Sequence, residues 1–361
     1  MTKKILNKAK ELIDLNKEEI CYLYNNTSLG ELIEAANYLR YIHNPSKEVG
    51  YIIDRNVNIT NICYSRCLFC NFWRDNKSSE AYVLNREDYC VKIEEMLSVG
   101  GSQLLLQGGM NGELGLEYYC DLFIFLKRRY PNLKLHALSP PEIVYLSKRE
   151  KLSYREVLLK LIDSGLDSLP GGGAEILTDR VRRLISPAKC STEEWLGVMK
   201  EAHILGLTTT ATMVYGHIET IEDRAEHLIK IRDLQKEKPL ASKGFIAFIL
   251  WPFRGSGTRL MKLYPNMVES NSYEYVKMLT LSRIVLNNIK NIQVSWLTVG
   301  KDIASLSLHC GANDMGSLMI EENVLKTVGV NTRLNIDEMK MIINKCGFIA
   351  RKRNQEYEFI E

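Results

Sequence analysis

The stretch "NICYSRCLFCNFW", residues 61–73, sets cysteines at positions 63, 67 and 70 and aromatic residues at 64, 69, 72 and 73. It continues a short β-type run, "VNITNI" (57–62). Soft thiolates at short spacing select zinc or iron–sulfur chemistry. A structural zinc site takes four protein ligands, usually as two separated pairs. Here C-x3-C-x2-C has no second C-x2-C downstream, and the nearest histidines, His43 and His136, lie far along the chain. A closed [4Fe–4S] cluster takes four cysteines. Three thiolates hold three irons of a cubane and leave the fourth open, and an open position distinguishes a catalytic metal site from a structural one.

Outward from this loop, strand-like runs alternate with helical patterns. The strand runs are 57–62, 102–107, 133–138, 166–169, 207–215, 243–250, 291–297 and 308–313. Helical periodicity falls at 86–99, 115–129, 153–164, 191–205, 220–235 and 272–289. Asn85, Ser191 or Thr192 offer N-caps, and Gly206 closes the helix of "EEWLGVMKEAHILG". Parallel neighbours need a crossover, so the alternation implies a parallel sheet. About eight strands over roughly 250 residues match a (β/α)8 TIM-type barrel. A doubly wound open sheet, the alternative, calls for a Gly-rich phosphate turn after the first strand, where this chain has cysteines. The expected division is an N-terminal helical segment over 1–50, a barrel over 51–313, and a C-terminal helical extension over 314–361 with a short strand near its end.

The 361 residues carry a formal net charge of +3, with Lys and Arg interspersed among Asp and Glu, which argues against a nucleic-acid surface. No apolar run approaches roughly 18 residues, so no membrane span is expected. The N-terminal "MTKKILNKAKELIDLNKEE" reads as an amphipathic helix without a signal-peptide h-region. A cytoplasmic protein with reduced thiols is expected. The nine cysteines, an odd number, do not form a disulfide framework, and the six outside the loop read as small buried or inert thiols.

C-x3-C-x2-C with Phe69 just before the last cysteine resembles the radical S-adenosylmethionine (SAM) superfamily. The resemblance implies a barrel of the radical SAM kind, with Cys63, Cys67 and Cys70 binding three irons of a [4Fe–4S] cluster and SAM chelating the fourth. One-electron reduction then cleaves SAM to methionine and a 5′-deoxyadenosyl radical. Phe69 is expected to pack on the adenine, with core filling as its alternative. Gln107, Gly108 and Gly109, in "LLLQGGMN", occupy the place of the superfamily's Gly-Gly-Glu type motif, which receives the methionine ammonium. "LDSLPGGGAEIL" brings open backbone donors and Glu175, expected to bond the cofactor ribose or to act as a base, with a helix-dipole role as the alternative. His217 and Glu219, in "TTATMVYGHIET", are candidates for proton transfer. His136 reads as either a site group or an interior histidine. Arg254 and Arg180 are candidate partners for a substrate carboxylate.

The phrases "LHALSPPEI", "ISPAKCSTEEWL", "WPF", "SWLTVG" and "GANDMGSLMIEENV" narrow the resemblance to the dehypoxanthine futalosine cyclase family, over residues 50 to 358. That family's reaction, in the futalosine route to menaquinone, closes a carbon–carbon bond in dehypoxanthine futalosine. A flavodoxin- or ferredoxin-type electron donor is implied. Aminofutalosine synthase and cofactor F420 side-ring synthase share much of the pattern and are the enzymatic alternatives. A zinc or redox-sensing iron–sulfur binding protein is the non-enzymatic one.

Overall fold

The computed structural model describes residues 1–330 and 333–360; residues 331, 332 and 361 of the expected extension lie outside them. Ten strands form one sheet: β1 Glu48–Ile52, β2 Asp54–Asn58, β3 Gln103–Gln107, β4 Lys134–Ala137, β5 Ser168–Leu169, β6 Thr208–Tyr215, β7 Phe245–Pro252, β8 Asn291–Gln293, β9 Asp314–Ser317 and β10 Ile349–Lys352. Their order is β10-β1-β9-β8-β7-β6-β5-β4-β3-β2, and every pairing is parallel. β1 and β2 are halves of one extended run separated by Ile53. β1 pairs with β9 and β2 pairs with β3. The run itself therefore joins the two ends, and the sheet closes into a TIM-type barrel. β10 adds beside β1. The order never reverses, which removes the doubly wound alternative.

Helices follow the strands on the outside, as parallel crossovers demand. Their starts are set locally. Asn85 accepts from the N–H of Glu87 and Asp88. Ser191, rather than Thr192, caps Thr192–Ile204 and exchanges a capping box with Glu194. Three N-terminal helices, Thr2–Lys10, Lys17–Asn26 and Leu29–His43, pack against the outer ring. Tyr24 donates to Glu274 at 2.6 Å and Arg232 donates to the Leu15 carbonyl at 2.7 Å.

Three strand expectations are corrected. The first strand lies at 48–58 and not 57–62, because its polar residues hide it. Asp54, Arg55, Asn56 and Asn58 are all buried and hydrogen-bond to partners distant in sequence, including Gln103, Glu321 and Glu322. The last barrel strand is β9, not 308–313: Asp314 turns inward to the Arg353 guanidinium. The run 291–297 is a strand only to Gln293, and Trp296–Val299 is a short helix. Beyond β9, the described part of the expected extension holds one α-helix, Ile336–Lys345, a 3-10 turn and β10.

Candidate active site

One cavity of about 370 Å³ opens at the C-terminal ends of the strands. That is where the loops of a parallel barrel converge and where barrel active sites sit. The three thiols line it, together with Phe69, Gln107, Gly108, Gly109 and Glu175. Residues separated by more than a hundred positions are thus brought together around one cavity.

The thiol loop is pinned at its neck. Arg74 N–H donates to the Asn61 carbonyl at 2.7 Å, and Cys63 N–H donates to the Arg74 carbonyl at 3.2 Å. The Arg74 Nη1 donates to the carbonyls of Asn71 and Trp73, at 2.8 and 3.0 Å. Asn61 holds the returning segment through Tyr82 N–H and the Glu80 carbonyl. Arg66 takes the left-handed conformation, φ 48°, at the turn between the first two thiols. Met110 N–H points at Cys63 Sγ at 3.4 Å, and the Ser65 hydroxyl lies 3.2 Å from Cys67 Sγ. Burial pushes the Cys67 thiol up to about 11 and raises Cys70 as well; with no metal bound both are neutral thiols.

These donors fit a cluster better than a single ion. Among the described residues, no three His, Cys, Asp or Glu side chains stand close enough to hold one metal ion. Yet the three thiols face the same space. A zinc ion needs its ligands around one centre, whereas a cubane takes one thiolate at each of three separate corners. The loop after β3 supplies a cradle: a Cβ on Gly109 would sit 2.1 Å from the Ile62 carbonyl oxygen and 2.9 Å from Cys63 Cβ.

Glu175 is 5% exposed and left-handed, φ 37°. Its carbonyl accepts from Val214 N–H at 3.0 Å, which locks the Gly-rich turn to β6. Its Oε1 accepts from Lys189 Nζ at 2.7 Å. Its Oε2 has no hydrogen-bond donor, with Arg182 Nη1 at 3.8 Å. Lys189 lies over the Phe69 ring at 5.3 Å. Burial opposes the Lys189 charge, but Cys67, where its thiol is ionised, and the Glu175 carboxylate at 2.7 Å outweigh it and hold the ammonium protonated. Lys189, absent from the sequence-derived set, is thus a cation beside the thiol loop. Its signal, a lone Lys in "SPAKCS", cannot be told from a surface lysine without the fold.

Glu142 is also absent from the sequence-derived set; it stands in the first turn of the helix Pro140–Glu150, after two prolines. It lines the cavity, 5% exposed, accepting from the Ser139 hydroxyl at 2.6 Å. Burial lifts its carboxyl to about 7, against the Ser139 hydroxyl, the Gly108 N–H and Lys189. Between the ordinary value of 4.5 and about 7, the folded chain holds a proton the unfolded chain has lost. Stability of the cofactor-free protein therefore falls as pH rises through that window. Glu142→Gln should remove a share on the order of 2–3 kcal/mol. Denaturant midpoints from pH 4.5 to 8 check this; parallel curves for the two proteins would contradict it.

His217 and Glu219 do not join the cavity. Glu219 accepts from the N–H of Gly216 at 2.6 Å and of His217 at 2.9 Å, and from Arg224 at 2.8 Å. Its Oε2 lies 2.9 Å from His217 Nδ1, and both side chains are inaccessible. The histidine and Arg224 hold the Glu219 carboxyl far below its usual range although burial opposes them. This pair ties the loop after β6 to its following helix, and the inaccessible carboxylate is engaged by its own loop and Arg224 rather than offered to a substrate. Of the two arginines, Arg180 pairs with Asp223 away from the cavity. Arg254 lines the cavity, but its donors go to the Thr298 and Ser270 carbonyls and Glu269. His136 lies in the barrel interior against Ser168 at 2.5 Å, and burial pushes it down to about 3. It is an interior histidine.

A TIM-type barrel with three thiols at the head of its first loop defines a radical SAM protein. Residues 57–231 match the radical SAM superfamily, and residues 242–361 match the CofH/MqnC C-terminal region. The chain is 39% identical to the cyclic dehypoxanthine futalosine synthase of Halalkalibacterium halodurans, over 99% of this chain and 94% of that one. It belongs to that protein's family. It is also 35% identical to a 5-amino-6-(D-ribitylamino)uracil–L-tyrosine 4-hydroxyphenyl transferase of Methanosarcina acetivorans, over 87% and 83% of the two chains. Among solved structures, methylornithine synthase superposes with a TM-score of 0.72 at 17% identity, covering 98% of each chain, which speaks to the fold. The cofactors of the superfamily are a [4Fe–4S] cluster and SAM. Among the described residues, no helix is long and apolar enough to cross a membrane.

Proposed function

We infer that this chain is a radical SAM cyclase that converts dehypoxanthine futalosine to cyclic dehypoxanthine futalosine in menaquinone biosynthesis. The observation that carries the reading is the end-to-end match to a cyclic dehypoxanthine futalosine synthase, which leaves no part of the barrel or of the described tail without a counterpart. The cluster and SAM, when bound, supply a 5′-deoxyadenosyl radical able to take the C4′ hydrogen of the substrate ribose, so that the sugar carbon can bond to the attached ring system.

The residues of the chain do the rest. Cys63, Cys67 and Cys70 hold the cluster at the cavity wall. Gly108 and Gly109 keep backbone, rather than side chain, against the thiol loop, leaving carbonyls open to an ammonium group. Phe69 offers a flat face to the adenine. Lys189 balances the negative charge of the thiolates and fixes Glu175. The Oε2 of Glu175, buried without a hydrogen-bond donor in a residue that lines the cavity, is the acceptor for the proton lost when the cyclised radical gives up one electron. Trp251, Phe253 and Trp296 wall the cavity and keep water and stray hydrogen donors from the reacting carbon. The cell compartment is the cytosol, and the electron comes from a flavodoxin- or ferredoxin-type donor.

The test uses anaerobically reconstituted protein with SAM, reductant and dehypoxanthine futalosine. Mass spectrometry should find 5′-deoxyadenosine and the cyclised product in step. The 35% identity to the transferase motivates a second arm with L-tyrosine and 5-amino-6-(D-ribitylamino)uracil. Product in that arm alone would replace the cyclase reading.

A further inference from the structure

Below the catalytic cavity lies a smaller one, about 100 Å³, in the barrel lumen. Its floor is the C-terminal tail: Arg353, Gln355 and Tyr357 all line it. β10 carries the tail there, and Arg353 N–H donates to the Tyr51 carbonyl at 2.9 Å. The Arg353 guanidinium is buried, forks onto Asp314 at 2.5 and 3.0 Å, and lies 3.5 Å from the Tyr357 ring centre. Gln355 reaches across the lumen to Ser168.

Gln293, at the end of β8, lines both cavities. Its Oε1 accepts from Tyr357 Oη at 2.9 Å and from Arg353 Nη2 at 3.4 Å. Arginine has no acceptor, so the amide cannot turn over without setting N–H against N–H. Its Nε2 therefore points away from the tail. Gly316 makes the room: a Cβ there would sit 2.6 Å from Nε2. Among the described residues, Nε2 has no protein acceptor, although the cavity side of Gln293 is open.

We propose that Gln293 is a specificity-determining substrate contact, a hydrogen-bond donor on the floor of the catalytic cavity, held in its orientation by Arg353 and Tyr357 of the C-terminal tail. The group it recognises is an oxygen acceptor, hydroxyl or carboxylate, on the organic substrate rather than on SAM. The identity of that substrate rests on the cyclase reading above. Arg353 and Tyr357 act through Gln293 and are positioning residues. The tail is thereby part of the active site although none of it enters the upper cavity.

The test is Gln293→Glu, which keeps the shape, gives Arg353 a charged partner, and replaces the donor by an acceptor. Dissociation constants are measured on cluster-loaded protein without reductant, separately for SAM and for dehypoxanthine futalosine. The variant should bind the substrate about tenfold or more weakly, with SAM affinity within about twofold of wild type. Under turnover KM should rise more than kcat falls, and 5′-deoxyadenosine should outrun product. Tyr357→Phe should weaken substrate binding about threefold, because one of two orienting donors remains. Unchanged substrate affinity in both folded variants overturns the proposal, and so does a loss confined to SAM. If wild type acts only on the tyrosine pair, the cyclase reading falls, and the same affinity comparison with those substrates decides Gln293 on its own.

Discussion

Cys67→Ala should give a folded protein with no turnover. The thiol is 5% exposed, and among the described residues its hydrogen-bond contact is the Ser65 hydroxyl. Without metal it is a neutral group packed like a small hydrophobe, so its loss should cost at most about 1 kcal/mol of stability. With the cluster present the same atom is one of three anchors. Loss of an outer-shell partner typically costs roughly 10–100-fold in metal affinity or activity, and loss of a direct ligand should cost more. Iron and sulfide per chain should fall sharply, and 5′-deoxyadenosine should drop to background. Cys310→Ala is the control. Cys310 is fully buried and does not line the cavity, so its loss should cost packing energy and leave the iron in place. Wild-type iron content and turnover in Cys67→Ala would show that the loop is not the cluster site.

The site was more legible than the strand ends. Three thiols at short spacing announce themselves because little else needs that pattern. The Gly-rich turns at 108–109 and 171–173 follow apolar runs, so their place at strand ends was readable from polarity alone. β2 was not. A strand reading Asp-Arg-Asn-Val-Asn looks like surface until its partners are known, and they lie in β3 and in the segment after β9. The same long-range pairing hid β9, whose Asp314 is neutralised by an arginine near the far end of the chain. His217 and Glu219 failed in the opposite way. Their types and spacing suit proton transfer, but Arg224, one turn into the next helix, takes the carboxylate. Polar residues close in sequence announce chemistry only when nothing nearby satisfies them, and that is settled by the fold. Glu175 meets the condition with one oxygen, and Gln293 with its amide nitrogen.

Gly109→Ala should uncouple the thiol loop from the barrel without touching a thiol. Backbone strain is not the cause, because Gly109 does not lie in the left-handed region. Contact is. An added methyl would meet the Ile62 carbonyl oxygen at 2.1 Å, its carbon at 2.7 Å and Cys63 Cβ at 2.9 Å. None of these is the free end of a flexible side chain. The two segments are also laced together: Gly109 N–H donates to the Thr60 carbonyl at 2.8 Å and Tyr64 N–H donates to the Met110 carbonyl at 3.1 Å. The methyl can be seated only by pushing Cys63 away from the other two thiols. Overpacking of this kind costs about 1–3 kcal/mol or more. A thiol moved by about 1 Å should cost roughly 10²-fold in activity. Gly108→Ala is the graded comparison, since its methyl would meet nothing closer than 3.2 Å and the neighbours need give only slightly. The expected order of iron content and product rate is wild type, then Gly108→Ala, then Gly109→Ala well below both, with thermal unfolding of the cofactor-free proteins separating loop displacement from general collapse. Equal iron content across the three would mean that the loop after β3 does not set the position of the cluster.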